Sequence, residues 1–215
     1  MQNSAEVRFF WMDSDAQRVE AWFQSGPIKA GGGRTREPRV DVYLHDPDQP
    51  ELGIKKRGTK PGVEVKGLVS IASEPIEMGQ ILASAELWTK WTTDSLSLDT
   101  FATIEISKTR WLRKFEIREG SLREIPLGEN EMPLDPNDPL PIQGCNLEFT
   151  RISVAGEKGE TLTLGLESFG SHGDVERNLR LTVDRLAFGG IPDLRSGKQL
   201  SYPGWIRSRT PAGLG

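Results

Sequence analysis

Apolar and polar residues alternate along several short stretches of the chain, and this two-residue period is typical of β-strands with two unlike faces. Over residues 5–11, Val7 and Phe9 fall on one face while Glu6 and Arg8 fall on the other. Similar patterns predict further strands at residues 39–45, 53–57, 62–71, 100–117, 145–154 and 161–168. The pattern therefore predicts about seven or eight strands.

Three other stretches repeat their apolar residues at helical spacing. The first covers residues 15–24, and the second covers residues 75–91, where Ala85 and Trp88 lie near one stripe. The third covers residues 175–186, follows good capping residues and ends before a pair of glycines. The sequence therefore predicts three helices among the strands.

Proline- and glycine-rich turns separate the strands and would bring successive strands back antiparallel. The sequence thus predicts an α+β fold dominated by an antiparallel sheet, closed into an eight-stranded β-barrel or tunnel with flanking helices. We assign residues 1–190 to this domain, including a glycine-rich basic loop at 25–38 and a surface excursion at 119–144. Residues 191–215 form a C-terminal arm that carries Tyr202, Trp205, Arg207 and Arg209.

Composition narrows the classes of function. The 215 residues carry a net charge of −4, which argues against a protein that binds nucleic acid through bulk basicity. Cys145 is the only cysteine and the chain has two histidines, so neither a disulfide nor a Cys- or His-based metal site is expected. We find no signal peptide and no membrane-spanning run, which predicts a cytoplasmic protein without a membrane partner.

The polar faces of the predicted strands are charged, and two explanations are open. Charged residues on one face of a sheet commonly meet water, and an open sheet of that kind would have no interior cavity. Here, however, both signs of charge occur close together, as in Glu6 and Arg8 or Glu64 and Lys66. The opposite faces carry large apolar residues, as expected for a sheet that helices cover from outside. We therefore favour a barrel with a charged interior.

The order of elements and several short motifs resemble the CYTH superfamily, the triphosphate tunnel metalloenzymes. Its opening Glu-x-Glu-x-Lys strand is matched in part by residues 6–10. A Tyr-x-Asp-like segment and a basic strand correspond to residues 43–46 and 52–57. Residues 64–67 and 108–110 take the places of the family's Thr-x-Lys-Gly-like and Lys-x-Arg strands. Two glutamate-bearing strands and the last helix complete the resemblance, which covers roughly residues 5–188.

This resemblance implies a tunnel in which basic residues hold the phosphates of a nucleotide, triphosphate or other phosphorylated polyanion. The corresponding cations are Arg8, Lys56, Arg57, Lys66, Lys108 and Arg110. In the family, carboxylates hold Mg²⁺ or Mn²⁺, which assists hydrolysis of the terminal phosphate. The corresponding carboxylates are Glu6, Glu148 and Glu167, with Glu64 as a further candidate. No catalytic residue is assigned.

The chain also departs from the family pattern. Arg8 and Phe10 replace a glutamate and a lysine of the opening motif, and Thr163 and Gly165 stand where carboxylates are expected. These changes favour anion binding over full hydrolytic chemistry, with residual metal-dependent hydrolysis left open. The alternative function is a non-catalytic scaffold that captures a protein partner through the C-terminal arm.

Overall fold

The computed structural model describes residues 1–12, 16–25, 39–46, 48–128, 131–186 and 193–209. The core of the predicted glycine-rich loop, residues 26–38, lies outside the described residues, as do the glycines predicted to end the last helix. Twelve strands are described: β1 Gln2–Trp11, β2 Arg39–Leu44, β3 Leu52–Arg57, β4 Val63–Ile71, β5 Ile76–Met78, β6 Ile81–Ala83, β7 Glu86–Thr93, β8 Thr103–Arg118, β9 Ser121–Ile125, β10 Gly144–Val154, β11 Thr161–Gly170 and β12 Lys198–Gln199. The helices are α1 Ala16–Ser25, α2 Val175–Leu186 and α3 Tyr202–Ile206, with one 3₁₀ turn at Leu194–Ser196.

Eight antiparallel strands close into a barrel, as the alternation predicted. Their order is β10–β11–β1–β7–β4–β3–β2–β8, and β8 pairs with β10 to complete the ring. The closing pair is long, with a register that runs from Gly144 opposite Glu116 to Val154 opposite Ile106. Closure leaves no free edge on these eight strands over their paired lengths, so the two faces of the sheet become an inside and an outside.

The main apolar core lies outside the barrel, between its wall and the helices. Val7, Phe9 and Leu147 project outward and are at most 2% exposed. Helix α2 covers this wall with Leu179 and Val183, which its 3.6-residue period places on one side. Helix α1 adds further apolar side chains to the same cluster. Because this core takes the outward residues, the inward positions of the strands are left for charged side chains.

The helix predicted at residues 75–91 is wrong. These residues instead form the hairpin of β5 and β6, followed by β7. Gly79 makes the hairpin turn with a φ of +64°, which interrupts any helix. Strand β7 fills the place between β1 and β4, and the barrel could not close without it. Its threonines and tryptophans favour a strand, which the helical spacing of its apolar residues concealed.

Part of the predicted surface excursion at residues 119–144 is also regular structure. Strand β9 turns back at Glu119 and Gly120 and pairs with the end of β8, from Lys114 to Arg118. It lies beside the barrel ring and is not a member of it. The connection from β9 to β10 is therefore anchored close to the end of the barrel at which β8 finishes.

The C-terminal arm is built into the barrel over its described part, residues 193–209. Strand β12 pairs with β1, and α3 carries Trp205 and Ile206 into a buried apolar cluster. Trp205 stacks on Phe10 with 5.2 Å between ring centroids. The other members are inward residues near one end of the strands: Tyr43, Ile104, Ile106, Ile152 and Val154. Helix α3 therefore closes this end of the barrel.

Leu147 tests the packing of the outer core. We expect Leu147→Ala to reduce the free energy of unfolding by about 2–5 kcal/mol, because it leaves a cavity in a fully buried site. Leu82→Ala is the control, since Leu82 is 70% exposed and its truncation is expected to change stability by about 0.5 kcal/mol or less. Urea unfolding curves provide the measurement. Equal midpoints for the two variants would contradict this placement of the core.

Candidate functional site

The inward faces of the strands surround a cavity, so the explanation in which the charged face meets water on an open sheet is wrong. The cavity holds about 690 Å³, including the space open to solvent. Among the described residues, its lining contains eight cationic side chains, which are Arg8, Arg39, Lys55, Arg57, Lys66, Lys90, Lys108 and Arg110. The described lining also contains four carboxylates, which are Glu6, Glu64, Glu148 and Glu167. The interior therefore carries an excess of positive charge.

The structure brings together most of the residues that the sequence singled out. The cavity is lined by all three carboxylates proposed as metal ligands and by five of the six proposed phosphate ligands. Lys56 is the exception, because it is exposed on the outside of β3, while Lys55 and Arg57 on either side of it point inward. The two-residue period of a strand explains this arrangement. The same period could have identified Lys55 from the sequence.

Arg39 and Lys90 were also missed by the sequence analysis. Arg39 begins β2, where the two-residue period places it on the same face as Asp41 and Tyr43, so that the period could have identified it. Lys90 lies within the stretch that was predicted as a helix, so its inward direction could not be recognised. Only the pairing of β7 with β1 and β4 shows that Lys90 belongs to the interior.

Glu148 lies at the centre of the charged interior. Its carboxylate accepts hydrogen bonds from Nη1 of Arg8 and from Nη1 of Arg110, each at 2.9 Å. The Thr150 hydroxyl donates a further hydrogen bond at 3.2 Å. Burial alone would raise the pKa of Glu148, but Arg8, Arg110 and Lys108 outweigh it and hold the pKa well below its usual value. Glu148 therefore stays ionised and positions two guanidinium groups.

The small residues Thr163 and Gly165 on β11 are explained by their contacts with Arg8. Gly165 lies opposite Arg8 in the pairing of β1 with β11. A Cβ atom at position 165 would lie 2.5 Å from Cζ of Arg8, so glycine makes room for the guanidinium. Thr163 accepts a hydrogen bond from Nη1 of the same guanidinium at 3.0 Å. Arginine at position 8 and the smaller residues on β11 thus form one arrangement.

A second cluster forms around Asp41, which is completely buried. Its carboxylate pairs with Arg39 at 3.0 Å and with Lys55 and Lys108 at 3.5 Å each. Burial alone would raise the pKa of Asp41, but the three cations hold it at about 2. Asp41 therefore neutralises part of the positive charge from within the wall of the barrel.

Lys108 is the most buried cation of the cavity, with 3% of its side chain exposed. It donates a hydrogen bond to the Tyr43 hydroxyl at 2.5 Å, and its ammonium lies 3.8 Å from the centroid of the Tyr202 ring. Burial, together with the positive charge of Lys55, lowers the pKa of Lys108 well below its usual value. An anion beside this ammonium would favour its charged form.

Three arginines of the cavity, Arg39, Arg57 and Arg110, lie close enough for their charges to interact. Burial lowers the pKa of Arg110, and the positive charges of Arg39 and Arg57 lower it further, against the effect of Glu148. Among the described residues, Nη2 of Arg57 and Nε of Arg110 are buried without a hydrogen-bond partner. Buried donors without partners are costly, so these arginines have unused capacity to bind an anion.

The remaining two carboxylates proposed as metal ligands are also paired with lysines. Glu6 pairs with Lys66, and Glu167 pairs with Lys90 at 3.6 Å. Burial alone would raise the pKa of Glu167, but Lys90 and Lys66 hold it at about 2. Within the part of the chain that the structure describes, no three His, Cys, Asp or Glu side chains are placed to hold a metal ion together. All three carboxylates proposed as metal ligands are therefore engaged by cations of the cavity.

The closed end of the cavity is formed by residues of the C-terminal arm. Tyr202 and Pro203 line the cavity directly. Pro203 packs on Gly53, where an added Cβ atom would lie 2.9 Å from Cγ of the proline ring. The Tyr202 ring also lies under the Arg8 guanidinium at 4.6 Å. The aromatic residues of the arm, Tyr202 and Trp205, are thus engaged inside the chain.

Comparisons with known proteins add no family assignment. No protein-family model matches the chain, and no curated protein matches it. The helices in the described part of the chain are all too short or too polar to cross a lipid bilayer. The geometry of the cavity is therefore the feature of this protein that indicates its function.

Asp41 provides a test of the buried charge network through pH. Because its pKa is lower in the folded than in the unfolded protein, it stabilises the fold above about pH 4, and this contribution is lost as the pH falls towards 2. This difference in the pKa of Asp41 corresponds to about 2 kcal/mol in the free energy of unfolding. We expect urea midpoints measured from pH 5.5 to 3 to fall less steeply for Asp41→Asn than for the wild type. If the urea midpoints of the two proteins fell equally steeply with pH, the proposed pairing of Asp41 with the three cations would be contradicted.

Proposed function

We propose that this protein binds a phosphorylated polyanion, such as a triphosphate or a nucleotide, inside its barrel. The observation that carries the proposal is the convergence of eight lysine and arginine side chains on one cavity that holds four carboxylates. Several converging cationic donors are what a polyanion requires, and arginine is suited to paired contacts with phosphate oxygens.

The burial of these cations supports a binding role over a purely structural one. Lys108 and Arg8 are 3% and 7% exposed, and buried charge is costly unless it is compensated. The carboxylates of the lining compensate only part of it, even with the contribution of Asp41. A bound polyanion would neutralise the remainder and would supply partners for the unpaired donors of Arg57 and Arg110.

The carboxylates favour binding without a resident metal. Glu6, Glu148 and Glu167 each accept contacts from a lysine or arginine of the same cavity. A divalent cation held by them would have to displace these cations. We therefore propose that anion binding occurs in the absence of metal, and that triphosphate hydrolysis is not the main activity of this site.

The alternative, a scaffold that captures a partner through the C-terminal arm, has less support. Its aromatic residues Tyr202 and Trp205 are packed within the barrel and are not presented at the surface. Arg207 is exposed, but it follows a helix that closes the cavity. Deletion of residues 200–215 would therefore disturb the cavity as well as the arm.

Adjacent residues of β3 provide a matched test, with inorganic triphosphate as the probe. Calorimetric titration in EDTA is expected to detect binding to the wild type, and Arg57→Ala is expected to weaken it by about tenfold or more, because a charge-assisted contact is lost. Lys56→Ala removes the same charge one residue away on the outside of the barrel. It is therefore expected to bind triphosphate as the wild type does.

The outcomes distinguish binding from its alternatives. Equal weakening by Arg57→Ala and Lys56→Ala would indicate attraction to overall charge and would contradict an interior site. Binding that appears only when Mg²⁺ or Mn²⁺ is added would overturn the proposal of a metal-independent site and call for a phosphate-release assay. Absence of binding for triphosphate, ATP and GTP, with and without metal, would sink the proposal.

A further inference from the structure

The connection between β9 and β10 brings a carboxylate of the chain itself to Arg110, a residue of the cavity lining. Glu131 forms an ion pair with Nη2 of Arg110, the guanidinium group that also holds Glu148. Arg110 is 12% exposed and Glu131 is 22% exposed, so the pair is largely shielded from water. A carboxylate at this position contacts the same donor that a phosphate oxygen would use.

The described residues 126–128 and 132–134 are joined to each other by two backbone hydrogen bonds. The N–H of Gly128 donates to the carbonyl of Met132 at 2.9 Å, and the N–H of Leu134 donates to the carbonyl of Pro126 at 2.8 Å. Leu127 is buried and packs with Leu112, which follows Arg110 by two residues on β8. The described part of this connection is thus packed against β8, and it carries Glu131, which contacts Arg110.

Glu131 also has an unfavourable backbone conformation. Its φ of +61° lies in the left-handed region, which costs free energy for a residue with a side chain. Such conformations tend to occur where function requires them. Glu119 is the other described residue with a side chain and a positive φ, at +50°, and it lies in an exposed turn. The two glutamates therefore share a backbone conformation but only Glu131 contacts a residue of the cavity.

We propose that Glu131 is a built-in competitor of the ligand, occupying the anion position on Arg110 until a phosphate group displaces it. This inference rests on the proposed function of the cavity. In the free protein, Glu131 supplies negative charge to a region where Arg39, Arg57 and Arg110 lie together. On binding, the ligand takes over the contact with Arg110, and the free energy of the lost ion pair is subtracted from the affinity.

Removal of the charge at position 131 is therefore expected to strengthen binding. We expect Glu131→Gln to bind inorganic triphosphate about three- to tenfold more tightly than the wild type, the range that corresponds to loss of a partly shielded ion pair. Glu119→Gln is the matched control, because it removes the same charge from a residue of the same backbone conformation outside the cavity. It is expected to bind triphosphate with wild-type affinity.

A double-variant cycle shows whether the effect passes through Arg110. In an Arg110→Gln background, the additional change Glu131→Gln is expected to leave the affinity unchanged, because the shared contact is already gone. An equal strengthening in both backgrounds would show a general effect of charge and would overturn the inference. Melting temperatures of the free variants identify any loss of folded protein.

Failure of this inference can be distinguished from failure of the proposed function. If Arg57→Ala weakens triphosphate binding while Glu131→Gln matches the wild type, the cavity binds anions and Glu131 is not a competitor. If neither the wild type nor Glu131→Gln binds triphosphate, both the proposed function and the inference about Glu131 are wrong.

Discussion

The structure depends on how a closed barrel holds charges of both signs away from water. Burying an ion is costly, and the cost falls when opposite charges and hydrogen bonds surround it. Glu148 between Arg8 and Arg110, and Asp41 among Arg39, Lys55 and Lys108, show this arrangement at two levels of the interior. These carboxylates hold the cationic side chains in position through ion pairs. Because they are outnumbered, the interior keeps the positive excess from which its proposed function follows.

This charged interior is possible because the hydrophobic core lies elsewhere. In most small barrels, apolar side chains fill the inside. Here Val7, Phe9 and Leu147 face outward under α1 and α2, and an apolar interior cluster is confined to the end that α3 closes. The larger part of the hydrophobic core is thus separated in space from the cavity, while the cluster at the α3 end borders it through Tyr43 and Tyr202. Changes at the inward positions of the strands can alter binding chemistry while the outer core remains intact.

Most of the architecture could be predicted from the sequence because strand alternation is a local signal. The strict alternation around Glu6 and Arg8 assigned one face of β1 to the interior of the barrel and the other face to its outside. The prediction failed at and just before β7, where Ala85 and Trp88 happen to fit a helical stripe and only the need to close the ring reveals a strand. It also could not place Tyr202 in the cavity, since that contact joins residues far apart in the chain. The role of Gly165 beside Arg8 likewise depends on the pairing of β1 with β11.

The packing of α3 against one end of the barrel determines how molecules can pass through it. With Trp205 stacked on Phe10 and Pro203 resting on Gly53, the chain's own C-terminal segment forms a floor at one end of the barrel. A long polymer therefore cannot be threaded out through that end. Only the tip of such a polymer, or a molecule short enough to fit whole, can reach Lys108 at the bottom.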